Sequence, residues 1–314
     1  MIPFVTGGAR SGKSRFVSSV LALLLLAALP AAAAPKAAAK APRRVVSLAP
    51  SLTEMLFALG AGDTVVGVTS YCNYPPATGR LPKVGGMQDG TVDAERVLAL
   101  RPDLVVSIGE GQHRTVETLK RLGLRVEVLR SQTLSDVFPA IDGLGRLLGR
   151  EAAARRVNGD LSRRIDRVRK ATAALPAAKR PRVFYVVWDQ PLMTGTDDSL
   201  IGQLIPLAGG VNIFGDLPGQ YVQVSPEAVL ERNPQVIVAP DQHAAPVNAA
   251  ALARHPGLAG VEAVRNRRIV VLEGDRISRV GPRIADALEH LARALHPRLF
   301  PAPGKAAPPG RKPR

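Results

Sequence analysis

Residues 92–106, VDAERVLALRPDLVV, and residues 224–238, VSPEAVLERNPQVIV, align without a gap at an offset of 132. They agree at Val92/Val224, Glu95/Glu227, Val97/Val229, Leu98/Leu230, Pro102/Pro234 and Val106/Val238, with apolar exchanges at Leu104/Val236 and Val105/Ile237. Each copy reads as a helix opened by a capping residue (Asp93, Ser225), closed before a proline, and followed by a β-rich run. A recurring helix–Pro–strand unit implies two similarly built lobes related by an approximate two-fold.

Working outward, Val45–Leu48, Val65–Thr69, Leu104–Ile108 and Val126–Leu129 read as strands, and Leu52–Leu59, Ala94–Leu100 and Arg114–Leu122 as helices between them. No strand signal falls between Leu134 and Leu175. Val157, Leu161, Ile165 and Val168 recur there at spacings of four and three among good helix formers, so a long connecting helix is expected over 150–176. The alternation then resumes. Val183–Trp188, Val236–Ala239 and Ile269–Leu272 read as strands, Leu200–Leu207, Glu227–Glu231 and Ile284–Leu295 as helices. The fold class is therefore α/β: a lobe over 45–149, the connecting helix, and a second lobe over 181–297, each with a mostly parallel sheet. Ligands of open α/β sheets sit at the carboxyl ends of the strands, so a cleft between the lobes is the expected site.

Composition narrows the function. A chain of 314 residues, 46% apolar and 22% charged, excludes collagen-like, disordered and disulfide-scaffold classes. The formal charge of +16 invites a nucleic-acid reading. However, residues 1–44 hold seven basic residues and residues 301–314 four, with no acid in either stretch. Residues 45–300 carry 31 basic against 26 acidic residues, a net of +5. No basic stripe is interleaved with aromatics, so no nucleic-acid partner is expected. The one cysteine, Cys72, cannot form an internal disulfide. The five histidines (His113, His243, His255, His290, His296) show no metal-ligand spacing, and neither a nucleophile with its base nor a paired carboxylate emerges, so no enzyme is expected. His113 reads as a residue of a first helical turn.

The N-terminus carries two signals. Gly7–Ser14, GGARSGKS, matches the phosphate-cradling pattern, in which Lys13 and Ser14 would meet phosphate and magnesium. Residues 4–16 resemble the opening of adenosylcobinamide kinase, a cobalamin-pathway enzyme, which makes a P-loop nucleotide-binding kinase the alternative from a different class. The likeness stops at about residue 16, and no acidic magnesium-binding strand follows. Instead Val17–Leu29 is a thirteen-residue uncharged apolar run, preceded by Arg10, Lys13 and Arg15 and closed by Pro30 and four alanines. That is the pattern of a secretory signal peptide, too short for a membrane span and with no cysteine at its exit. Residues 1–34 are thus expected to be a P-loop-like remnant plus signal peptide, 35–44 a linker and 298–314 a disordered tail.

The mature chain resembles the helical-backbone class of periplasmic substrate-binding proteins, and within it the cobalamin-binding components of ABC importers. The likeness rests on VVSLAPSLTE (45–54), GVTSYCNYPP (67–76), PKVGG (82–86), RPDLV (101–105), LAGGVNIF (207–214) and SRVGPR (278–283), and spans about residues 44–297. It implies a periplasmic protein, a monomer when free, that carries a corrinoid to a permease dimer with its ATPase subunits, the corrinoid being cargo rather than cofactor. Siderophore and haem binders share the motifs and form the alternative of the same class. A corrinoid is a broad disc with apolar faces and an amide-rich rim, which flat rings and a few polar groups suit. Tyr71, Tyr74, Trp188 and Tyr221 are the candidate rings; Tyr71 and the segment Asp275, Arg276, Ile277, Ser278 and Arg279 fall on the family's ligand-contacting positions. Glu95 and Glu227 match the acids that dock on arginine pockets of the permease dimer, while also suiting the positive end of their helices. The sequence departs from its best-matched relatives at Gln88–Gly90 and Gly109–Gly111, which lack a tryptophan, and at Tyr221, which stands where one is expected.

Overall fold

Val45, Val46 and Ser47 have no exposed surface, as a strand covered on both faces must. They form β1 (Val45–Ser47), the first element of a computed structural model that describes residues 40–241 and 249–301. The P-loop-like segment, the export segment, most of the linker, His243 and nearly all of the tail lie outside the described residues. Ala41 onward clusters as one compact unit.

After β1 come α1 (Pro50–Ala58), β2 (Val65–Val68), α2 (Ala94–Ala99), β3 (Leu104–Ser107), α3 (His113–Arg121) and β4 (Val126–Val128). Their all-parallel sheet has the order β2-β1-β3-β4. Two helices follow, α4 (Val137–Leu148) and α5 (Glu151–Ala173), separated at Gly149, whose φ of 65° ends α4 in the left-handed region that glycine tolerates. The expected connecting helix is α5, with Ala154, Leu161, Val168 and Thr172 as its buried stripe. Full burial of a Leu or Val is worth about 1.5–3 kcal/mol, and these two fasten the middle of the helix to the main core.

The second lobe contains β5 (Arg182–Tyr185), β6 (Trp188–Asp189), β7 (Leu192–Gly195), α6 (Leu200–Leu207), β8 (Val211–Asn212), β9 (Tyr221–Gln223), α7 (Pro226–Arg232) and β10 (Val236–Asp241). It closes with α8 (Ala249–Arg254), α9 (Glu262–Arg265), β11 (Ile269–Glu273), α10 (Gly274–Ile277) and α11 (Ile284–Leu295). Its parallel sheet runs β11-β10-β5-β8.

Read from the other edge this order is β8-β5-β10-β11, the counterpart of β2-β1-β3-β4, with the repeat strands β3 and β10 equivalent. The preceding helices match as well. Asp93 caps α2 by accepting from Arg96 N, and Ser225 caps α7 by accepting from Ala228 N. Arg101 and Asn233, again 132 apart, both turn through the left-handed region with φ of 45° and 41°. A residue type as unsuited to that conformation as arginine adopts it only when the connection demands it.

One expected strand is corrected. Val183–Trp188 is not continuous: β5 ends at Tyr185, and Trp188 starts β6 in a separate antiparallel sheet, β6-β7-β9. The tight reversal through Gln190 and Pro191 pairs Trp188 with Met193 rather than with the parallel sheet. The expected ligand loop at 275–279 likewise begins with a helical turn, α10.

Candidate ligand-binding cleft

Beyond the carboxyl end of β2 the chain turns through Thr69–Tyr74. Buried Cys72 anchors that turn, its Sγ 3.2 Å from both Thr53 Oγ1 and Thr69 Oγ1. With Cys72 held inward, its neighbour Tyr71 points out and is 60% exposed. Tyr71 borders a cavity of about 240 Å³ at the seam of the lobes. Ala49, Pro50 and Ser51 at the start of α1 form one side, and Asp275, Ser278, Arg279 and Val280 the other.

The C-terminal wall is held by ions rather than by loop chemistry. Asp275 Oδ1 lies 2.8 Å from Arg279 Nη2, and Asn73 Nδ2 donates to Asp275 Oδ2 at 2.6 Å. Arg279 Nη1 donates to Asn73 Oδ1 at 2.7 Å and to Glu54 Oε1 at 3.2 Å, and Nη2 to the Tyr71 carbonyl at 3.1 Å. Arg283 completes the cluster, giving Nε to Glu54 Oε2 at 2.8 Å and Nη2 to Glu54 Oε1 at 2.6 Å. The Glu54 side chain is 2% exposed and both arginines 12%, so a buried carboxylate of α1 ties two guanidinium groups of the opposite lobe. Burial acts against the charge of Arg283, but the hydrogen bond and charge of Glu54 outweigh it and raise the guanidinium pKa. The Arg283 guanidinium also lies over the Tyr74 ring, 4.0 Å from its centroid.

The remaining rings come from the small antiparallel sheet. Trp188 pairs with Met193, and Tyr221 with Gly195, two residues on. Paired residues share a face and alternate residues along a strand return to it, so both rings project from one face of that sheet. Leu192, Thr194 and Val224 on the other face are buried. Trp188 Nε1 donates to the Gln190 carbonyl at 2.7 Å, which orients the indole. Partial burial pushes the Tyr221 phenol pKa up, and the negative charge of Glu110 across the seam adds to it. Beneath the 275–279 segment, burial pushes the Tyr185 phenol up strongly, with a hydrogen bond from Ser278 opposing.

Of the sequence-derived candidates, Tyr71, Asp275, Ser278 and Arg279 line one cavity, while Tyr74, Trp188 and Tyr221 lie outside that lining. Two take other places. Ile277 is buried and packs into the main core, anchoring the segment from below. Arg276 Nε sits 2.7 Å from Glu273 Oε2, at an angle that makes an ion pair without a hydrogen bond. Sequence reasoning missed Glu54, Asn73 and Arg283. The available signal was an acid among Leu52, Met55 and Leu56, a position that demands a cation.

Away from the cleft, Glu95 and Glu227 occupy the first turns of α2 and α7. Both are exposed, and neither makes an ion pair among the described residues. Hydrogen bonds from its own backbone N–H and from Ser225 hold the Glu227 carboxyl below the ordinary range. Among the described residues no cluster of three metal-ligating side chains occurs, and no helix is long and apolar enough to cross a membrane.

Two like-built α/β lobes, joined by one long helix and facing each other across a ring-bordered seam, define a bilobal solute-binding protein. The chain belongs to the periplasmic binding protein family, whose sequence profile matches residues 45–275. It is 34% identical over 258 residues to the vitamin B12-binding protein of Pectobacterium carotovorum, covering 81% of this chain and 88% of that one. It is also similar to the crystal structure of the periplasmic vitamin B12-binding protein of Vibrio cholerae, with a TM-score of 0.69, 31% identity and coverage of 81% and 96%. A periplasmic haem-binding protein from Pseudomonas aeruginosa aligns with a TM-score of 0.73, 30% identity and coverage of 82% and 94%.

Proposed function

We propose that this protein is the exported substrate-binding component of an ABC importer, that it holds a corrinoid, vitamin B12, across the seam of its lobes, and that it releases it unchanged to a permease. The observation that carries the reading is a largely apolar cavity bordered by Tyr71 and backed by the polar pair Asp275 and Arg279. A cavity of about 240 Å³ is smaller than the ~300–1,000 Å³ usual for an enclosed ligand site. A corrin disc therefore lies across its mouth, with Tyr71, Tyr74, Trp188 and Tyr221 against its faces and Asp275, Ser278 and Arg279 meeting its rim. The vitamin B12-binding relatives support corrinoid over other cargo. Membership of a binding-protein family sets aside the kinase alternative raised by Gly7–Ser14.

Export is assigned to Val17–Leu29 and docking to Glu95 and Glu227, one acid per lobe, facing a two-fold permease dimer with its ATPase subunits; the free protein is a monomer. A second reading, haem or a ferric chelate, is favoured by the exposed Tyr71 phenol, a ligand type that ferric iron accepts. Ultraviolet–visible titration separates the two. A tight, saturable cyanocobalamin complex that weakens in Tyr71→Ala supports the corrinoid. A Soret shift on haem addition, with no cyanocobalamin complex, replaces it.

A further inference from the structure

Residues 45–300 carry a net charge of +5, and α5 alone, with seven basic residues against three acids, carries +4 of it. The rest of that stretch is nearly neutral. At 100° per residue, Arg156, Arg163, Arg167 and Lys170 fall within an arc of about 60° and form a row about 21 Å long. All four are exposed, and the buried Ala154, Leu161, Val168 and Thr172 lie on the far side of the helix. Arg163 reaches Asp160 at 3.2 Å in a solvent-exposed pair of little energetic weight. Among the described residues Arg156, Arg167 and Lys170 make no ion pair. Ala152, Gly159 and Ala173 beside the row are small, so the cations stand proud of the surface.

We propose that this ridge holds the exported protein against an anionic phospholipid bilayer, by its charge and without insertion. A straight row of cations on the outermost line of a rigid helix complements a flat anionic plane. Alpha5 contains no aromatic residue, which removes the stacking platform a single-stranded nucleic acid uses. Residence at the membrane would shorten the search of a periplasmic binding protein for a membrane-embedded partner. Nothing in this depends on which ligand fills the cleft.

The test is co-sedimentation of the chain purified from a periplasmic extract with phosphatidylglycerol–phosphatidylcholine vesicles and with phosphatidylcholine vesicles. Each cation near an anionic surface strengthens partitioning about fivefold, so four supply about two to three decades. The wild type is expected to bind only the anionic vesicles and to dissociate at high salt. Combined Arg156→Gln, Arg163→Gln, Arg167→Gln and Lys170→Gln is expected to lose at least two of those decades. Its melting temperature and cyanocobalamin titration should stay unchanged. A control with Lys305, Arg311, Lys312 and Arg314 all changed to Gln should keep the ridge-dependent part. Equal vesicle binding by the ridge variant overturns the proposal, as does equal binding to uncharged vesicles. Ridge-dependent retention of a single-stranded oligonucleotide without vesicle binding overturns it in favour of nucleic acid.

Discussion

Glu54→Ala removes the one carboxylate, among the described residues, that touches both arginines of the opposite lobe. Cutting one partner from a fully buried ion pair costs about 3–5 kcal/mol, mostly because the other charge stays in a poor solvent. The two arginines are not equally exposed to that loss. Arg279 keeps Asp275 at 2.8 Å and Asn73 at 2.7 Å. Among the described residues Arg283 keeps one carboxylate, Glu273 at 3.4 Å and 44% exposed, beside the face of the Tyr74 ring. One guanidinium rather than two is thus left short, which places the expected cost near the lower bound, about 3 kcal/mol. In a domain of this size each kcal/mol moves the melting temperature by about 2–4 °C, so a fall of about 6–12 °C is expected in circular dichroism melts. Ligand affinity should fall with it, because Arg279 lines the cavity and Arg283 lies over Tyr74. Glu54→Gln keeps the volume and one acceptor and should fall between the variant and the wild type. Glu273→Ala, at the exposed end of the cluster, should be nearly silent. A Glu54→Ala protein that melts with the wild type, or a Glu273→Ala protein that loses as much, refutes the assignment of Glu54 as the centre of the bridge.

Glu95→Ala combined with Glu227→Ala should weaken docking on the permease while leaving the ligand titration intact; undiminished transport by the double variant rejects docking through these acids. Tyr71→Ala should weaken cyanocobalamin about 2- to 10-fold, the range of one lost aromatic face, with no change in melting temperature. Burial opposes ionisation of Asp136, yet hydrogen bonds from Thr133 and Gln132 hold its pKa below the ordinary value, and the Thr115 amide does the same for Asp89. A lowered folded-state pKa stabilises above the unfolded value of about 3.9 and is lost as pH falls through the folded one, so Asp89→Asn and Asp136→Asn should flatten stability against pH below about 4. Small-angle scattering should show little change in radius of gyration when ligand is added; a large contraction contradicts a rigid connection between the lobes.

The architecture was legible where local chemistry repeats. Asp93 with Glu95 and Ser225 with Glu227 marked two helix starts, Pro102 and Pro234 two helix ends, and the β-branched runs after them two central strands. What escaped was either too short or too distant. Strands of two and three residues such as β6 and β9 have no periodicity to read, and the run from Val183 to Trp188 hides the change of sheet within one apolar stretch. Ile277 stands among polar residues in the segment matched to ligand contacts, and only the fold shows that it points into the core. Glu54 meets its arginines across 225 and 229 positions. No local pattern could pair them, although the acid in an apolar helix announced that some partner was required.

The same contacts constrain how the lobes can part. Arg164 fastens α5 to α11 through Asp286 at 2.5 Å and Glu289 at 2.7 Å, and Asn158 fastens it to α4 through Asp142 at 2.9 Å. A helix held at both of these points is a poor hinge, since bending it would break its own ladder together with these pairs. The lobes are tied a second time beside the cleft, by Ser131 Oγ to the Val280 carbonyl at 2.7 Å, by Leu134 N to Gln203 at 3.0 Å and by the Glu54 cluster. A partner that pulled the lobes apart by their exposed acids would therefore meet its resistance at Glu54 rather than in α5. Arg279 belongs both to that bridge and to the cavity wall, so disrupting the bridge disorders a group that lines the proposed site. On the proposed reading, opening and loss of affinity are expected to be coupled through this one side chain, with no large swing of either lobe.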